Sequence, residues 1–135
     1  MKKSDNYKKW ILFAESDLAI AKAGKHSKEI LYETLCFHCQ QVSEKSIKAV
    51  LVFYSIDFPK THDIEFLLKF LKKKQIAIPK LVEESKVLSQ YAVMSRYPGE
   101  EMEVDKKEYK KVLKISSIVL KWAKSVIEKN NDKLF

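Results

Sequence analysis

Glycine and proline are scarce in this sequence, with two glycines and three prolines in 135 residues. Because these residues usually form turns and end regular elements, their scarcity predicts long elements with few turns. Long apolar runs are also missing, and the N-terminal "MKKSDNYKKW" lacks the apolar stretch of a secretory signal. We therefore expect a cytoplasmic protein that does not cross a membrane.

Arginine is almost absent, since Arg96 is the single arginine among 26 basic residues. The net charge is +8, but the lysines are spread along the whole chain and mixed with 18 acidic residues. This pattern is typical of a lysine-coated surface, and RNA binding through charge stays open as an alternative.

Signatures of metal and nucleophile chemistry are missing as well. Cys36 and Cys39 lie three residues apart in a predicted helix without a second pair, so we interpret them as small core residues. None of the three histidines has a histidine or cysteine partner at a ligand spacing, and two glycines cannot form a glycine-rich phosphate loop. The sequence predicts no metal site and no catalytic nucleophile.

The residues that are present follow a helical pattern. Apolar positions recur at spacings of three and four, and Ser4, Thr61, Pro79 and Asp105 are suited to helix starts. The predicted helices span residues 4–24, 28–56, 62–74, 79–95 and 105–130. We predict one all-α domain over residues 1–135, an antiparallel up-and-down helical bundle of four longer helices plus one short helix.

Two of these helices carry apolar residues on more than one side. The second has Phe37, Ile47 and Leu51 away from its main stripe, and the last has Ile115 and Ile118 away from its own. Such a helix lies either in the centre of a bundle or at a contact between subunits. We predict a homodimer from this leftover apolar surface.

Polar residues in "CFHCQQVSEKSIK" form one candidate site. At 100° per residue, His38, Gln41 and Lys45 lie within about 60° of one another at the border of the apolar stripe. A histidine and a lysine at such a border can contact an anion and still reach water. The alternative is that His38 is an interior histidine with a hydrogen bond to a neighbour such as Asp17.

The segment "KTHD" forms a second candidate site. His62 and Asp63 are predicted in the first turn of a helix, where free backbone N–H groups favour an anion. Plain capping of the helix explains the same residues. Arg96 is a third candidate, because its guanidinium can bind a phosphate or carboxylate with two parallel hydrogen bonds, which lysine cannot. A salt bridge to Asp17 or Glu100 is the structural alternative.

The motifs "CFHCQQVSEKSIKAVL", "PKTHDIEFLL" and "YAVMSRYPGE" occur in this order, after an N-terminal helix with the pattern W…A..DLA.A. In this combination the chain resembles the HEPN family (higher eukaryotes and prokaryotes nucleotide-binding domain), in its small stand-alone prokaryotic form. The resemblance covers nearly the whole chain. It implies a bundle of about five helices, a dimer, and pairing with a minimal nucleotidyltransferase in a toxin–antitoxin-like system.

The resemblance also implies two different functions. Many members are metal-independent ribonucleases in which an arginine is followed, four to six residues later, by a histidine, but no histidine follows Arg96 here. We therefore expect a non-catalytic module, with an adenine nucleotide as its possible ligand and no other cofactor. The expected nucleotide- or anion-binding residues are His38, Gln41, Lys45, His62, Asp63, Arg96 and Tyr97. The alternative is a ribonuclease that uses His38 or His62.

Overall fold

The computed structural model describes residues 6–93, 97–100 and 103–131. Five α-helices are present in these ranges, and none of the described residues lies in a strand. The bounds are α1 Asn6–Ala23, α2 Tyr32–Phe53, α3 Ile64–Lys73, α4 Lys80–Glu84 and α5 Lys106–Asn131, with 3₁₀ helices at Gly24–His26 and Ser85–Tyr91. The predicted all-α helical bundle is confirmed.

Helix α2 lies at the centre of the bundle. It packs against α1, α3, α5 and the 3₁₀ helix Ser85–Tyr91, and 14 of its 22 residues are buried. On its second predicted apolar side, Ile47 and Leu51 are buried inside one copy of the chain, and Phe37 is half-buried. On α5, Ile115 is buried and Ile118 is half-buried, so part of the predicted leftover apolar surface is covered without a second subunit.

A close contact at Gly24 and a helix cap at Asp105 help to position the helices around α2. Gly24 follows α1 at a point where a Cβ atom would lie 2.3 Å from Cδ2 of Leu35, so a larger residue would force the buried Leu35 side chain to move. At the other end, Asp105 accepts a hydrogen bond from the backbone N–H of Glu108 at 2.8 Å, which confirms Asp105 as the predicted cap of α5.

Helix α3 completely buries the four apolar residues Ile64, Leu67, Leu68 and Leu71. Its start differs from the prediction, because Asp63 rather than Thr61 is the N-cap and accepts from the N–H of Phe66 at 3.2 Å. Thr61 instead accepts from the N–H of Asp63. His62 and Asp63 therefore precede the helix and do not lie in its first turn.

The predicted fourth helix divides into α4 and the 3₁₀ helix Ser85–Tyr91. Val82, Ser85, Leu88 and Tyr91 are buried at a spacing of three, which aligns on one face only at three residues per turn. Next to Val82 in α4, Leu81 is 38% exposed. The predicted cap at Ser4 lies outside the described residues.

Candidate functional site

Asp17 of α1 is the centre of a polar cluster at the α1–α2 contact. Its Oδ1 lies 2.9 Å from Nδ1 of His38 and its Oδ2 accepts from Nζ of Lys45 at 2.6 Å. The Asp17 side chain is 11% exposed, and those of His38 and Lys45 are about one fifth exposed. This Asp17 cluster joins two of the predicted site residues through the hydrogen bond that was the structural alternative for His38.

Glu44 of α2 is the centre of a second cluster, and its side chain is only 3% exposed. Nζ of Lys48 donates to Oε2 at 2.9 Å, and Nε2 of Gln40 donates to Oε1 at 2.9 Å. His62 reaches the same Oε1 with Nδ1 at 2.8 Å from the loop before α3. The Glu44 cluster thus closes the turn between α2 and α3.

Aromatic rings lie close to the lysines of both clusters. Nζ of Lys48 lies 5.4 Å from the ring centroid of Trp10 and 6.0 Å from that of Phe58, while Nζ of Lys45 lies 5.9 Å from that of Phe13. Cations at these distances are attracted to the ring faces. The rings help to hold Lys48 in the interior, where an unpaired ammonium group would be strongly unfavourable.

Two buried polar atoms beside these clusters have no hydrogen-bond partner among the described residues. They are Oε1 of Gln40 and Oγ of Ser43, both on α2. Most buried polar atoms in proteins are paired. The amide nitrogen of Gln40 donates to Glu44, whereas its carbonyl oxygen remains a buried acceptor without a partner among the described residues.

The six predicted site residues that the structure describes are divided among separate hydrogen-bond groups. His38 and Lys45 belong to the Asp17 cluster, while His62 belongs to the Glu44 cluster and Asp63 caps α3. Gln41 is half-buried on α2 and Tyr97 is exposed. No hydrogen bond links the two clusters within the parts of the chain that the structure describes, and Arg96 lies outside those parts.

Both histidines in the clusters present the same geometry. Each has Nδ1 directed at a carboxylate, an arrangement that orients the ring and leaves Nε2 for another partner. The difference lies in access, because the side chain of His62 is 70% exposed and that of His38 is 20% exposed. A ligand can therefore reach His62 more easily.

The two cysteines are buried and free, as expected of core residues. Burial, together with smaller contributions from Cys39 and Glu108, raises the pKa of Cys36 to about 12. Burial also raises the pKa of Cys39 to about 11. Both thiols therefore stay protonated and unreactive near neutral pH. Among the described residues, no group of three histidine, cysteine or acidic side chains is arranged to hold a metal ion.

A family model described as "HEPN domain" matches residues 7–126. The chain belongs to the HEPN family. Among solved structures, the HEPN chain is similar to ST0689, described as an archaeal HEPN homologue, with 27% identity and a TM-score of 0.70 over 94% of this chain and 99% of that one.

A second solved structure, TT1696 from Thermus thermophilus, shares the fold. It is 23% identical, with a TM-score of 0.75 over 90% of this HEPN chain and 98% of the other. No protein of curated function matches the chain significantly. Within the described ranges, no helix is long and apolar enough to span a bilayer.

Gln40, Glu44 and Lys48 were not predicted to form a cluster. The three residues lie four apart, so they form one row on α2. A polar row of this kind normally marks a solvent-facing side. The burial of this row could have been predicted from the apolar residues on both neighbouring sides of α2, because these sides pack against other helices and cover the row between them.

Proposed function

We propose that this HEPN protein is a non-catalytic binding module that forms a homodimer and pairs with a minimal nucleotidyltransferase in a two-component, toxin–antitoxin-like system. The observation that carries the proposal is that His62 is the last histidine of the chain, so none follows Arg96. The arginine–histidine pair expected of ribonuclease members is therefore missing. Without the histidine, the proton-transfer group of that mechanism is absent.

An exposed apolar side of α1 supports dimerisation. Leu12, Phe13 and Ile20 lie on one side of the helix and are each at least 44% exposed. The Phe13 ring is next to Lys45, so a second copy on this side would lie beside the Asp17 cluster. Phe13→Glu is expected to convert the dimer to a monomer in light scattering, whereas the matched control Val87→Glu is expected to leave the mass unchanged.

The same edge is the proposed nucleotide or anion contact. Lys45 and His38 are accessible there, and His62, Asp63 and Tyr97 supply exposed polar groups elsewhere on the surface. Arg96 would add a two-pronged contact to a phosphate or to a carboxylate of the partner. Gln41, which is half-buried on α2 and lies between His38 and Lys45 in the sequence, would add its amide to this set.

The pairing is tested by purifying the tagged protein from its own cells and identifying bound proteins and nucleotides by mass spectrometry. A co-purifying nucleotidyltransferase supports the proposal. Arg96→Lys is expected to weaken nucleotide or partner binding, because it keeps the charge and removes the fork. Lys110→Arg, at an exposed position of α5, serves as the control. Recovery of RNA fragments without a protein partner would contradict the proposal.

A second candidate function is a metal-independent ribonuclease. The observation in its favour is that His38 and His62 are each oriented by a carboxylate, as general bases often are. This function predicts RNA cleavage in EDTA that is lost in His38→Ala or His62→Ala and kept in His26→Ala. Cleavage that persists in both of the first two variants would exclude it.

A further inference from the structure

A groove runs between α1 and α5, on the flank of α1 away from Phe13. One part, of about 440 Å³, lies between Leu18 and Lys22 of α1 and Leu120 and Lys121 of α5. The other part, of about 250 Å³, is lined by Tyr7 and Ile11 of α1 and Ile127 of α5. Lys124 and Glu128 line both parts, so the two are neighbouring sections of one groove.

The groove is long relative to a small ligand. Its lining on α1 extends from Tyr7 to Lys22, a distance of about 22 Å at 1.5 Å per residue. This length matches about four turns of an α-helix and exceeds the size of a mononucleotide. An extended occupant therefore fits the shape best.

The groove has an apolar floor and a basic rim. Its floor includes the buried residues Leu120 and Ile127 and the half-buried residues Ile11 and Leu18. The charged residues among the described lining are four lysines and one glutamate. The lysines are Lys8, Lys22, Lys121 and Lys124, and the glutamate is Glu128. An apolar floor with a basic rim complements a helix with one apolar side and acidic flanks.

One ion pair crosses the groove. Nζ of Lys124 donates to Oε2 of Glu15 at 2.9 Å, and the two side chains are about half exposed. Exposed pairs of this kind contribute little to stability, on the order of 0–1 kcal/mol. A carboxylate of an incoming helix can therefore replace Glu15 on Lys124 without a large loss.

We propose that this groove binds an acidic amphipathic α-helix of a partner protein, with apolar side chains on Leu18 and Leu120 and carboxylates against Lys22, Lys121 and Lys124. A second copy of this chain fits poorly, because its net charge of +8 would place lysines against lysines. RNA fits less well than a helix, since the floor is apolar and Tyr7 is the one aromatic side chain among the described lining residues. The inference rests on the proposed role as a binding module.

The test uses three probes of sixteen residues or nucleotides each. They are a fluorescent 16-residue helical peptide with leucines on one side and glutamates on the other, the same peptide with lysine for glutamate, and a 16-nucleotide oligouridine. Binding is followed by anisotropy with the full-length protein. We expect the acidic peptide to bind and the double variant Lys22→Glu/Lys121→Glu to weaken it about tenfold or more.

The matched control is Lys69→Glu/Lys110→Glu, which changes the net charge equally at exposed positions outside the groove. We expect it to change the affinity less than about twofold. The inference is overturned if the acidic peptide does not bind or if the lysine peptide binds equally well. It is also overturned if both double variants weaken binding of the acidic peptide alike. The same holds if oligouridine is the probe whose binding is lost in Lys22→Glu/Lys121→Glu. A nucleotidyltransferase that co-purifies despite any of these results leaves the proposed pairing in place, so the two failures are distinguishable.

Discussion

The Asp17 and Glu44 clusters have nearly the same composition and different surroundings. Each carboxylate binds one lysine Nζ and one histidine Nδ1, at distances between 2.6 and 2.9 Å. In the Asp17 cluster the His38 and Lys45 side chains are about one fifth exposed, whereas the Glu44 and Lys48 side chains are 3% and 8% exposed. The interior pair has an additional partner in Gln40, and two aromatic rings surround its lysine.

This difference arises from neighbouring positions on one helix. Glu44 and Lys45 are adjacent in sequence but point about 100° apart, so one faces the core and the other faces the edge of α1. Buried charges are tolerated only when their partners are nearly complete, and partly exposed charges can use water instead. The comparison therefore predicts that equal substitutions have unequal effects in the two clusters.

The largest effect is expected from Glu44→Ala. The substitution leaves the ammonium group of Lys48 buried without its carboxylate, and we expect a loss of about 3–5 kcal/mol in the free energy of unfolding, measured by urea denaturation. Glu44→Leu combined with Lys48→Met removes both charges and should recover most of this loss. If the double variant is as unstable as Glu44→Ala, packing and not charge is the cause.

Asp17→Asn should have a smaller effect. It keeps the shape of the side chain and removes the charge from two hydrogen bonds, so we expect a loss of about 2 kcal/mol. Lys45 can turn towards water, which limits the loss. Urea denaturation of Asp17→Asn and Glu44→Gln under identical conditions compares the clusters directly, and an equal or larger loss for Asp17→Asn would remove the distinction between them.

Cys36 lies one turn before Gln40, Glu44 and Lys48 on the same row of α2. Its burial can be tested by measuring the stability of the protein at alkaline pH. The folded state holds the thiol proton up to a pKa of about 12, above the ordinary value of 9.0, so between these pH values it binds more protons than the unfolded chain. Stability should therefore decrease as the pH rises above 9. Between pH 8 and 10 we expect the wild type to lose about 1 kcal/mol more than Cys36→Ala in thermal or urea unfolding. Parallel curves for the two proteins would contradict this expectation.

The smallest effect is expected from His62→Ala. Glu44 keeps Lys48 and Gln40 in this variant, and the lost histidine is mostly exposed, so the loss should not exceed about 1 kcal/mol. His26→Ala, at another exposed position, is the control. A loss as large as that of Glu44→Ala would mean that the loop before α3, and not Lys48, holds the buried carboxylate in place.

The fold was predictable because the apolar spacing is regular in every long helix. The break after Glu84 was missed because Val82, Ser85, Leu88 and Tyr91 follow a spacing of three, which resembles part of an α-helical pattern. The hydrogen bond between His38 and Asp17 was foreseen as an alternative, since both residues border apolar stripes. The Glu44 cluster was not, because its partner His62 lies in a loop whose position depends on tertiary packing.

One hydrogen bond of the fold has a consequence for synthesis of the chain. Tyr109 of α5 donates from its hydroxyl group to the carbonyl oxygen of Ala21 in α1 at 2.6 Å, across 88 residues. During translation α1 and α2 can pair as soon as both are made, but this contact must wait for the last helix to leave the ribosome. Until then the nascent chain exposes the sides of α1 and α2 that α5 will cover, so this interval is when we expect it to depend most on chaperones.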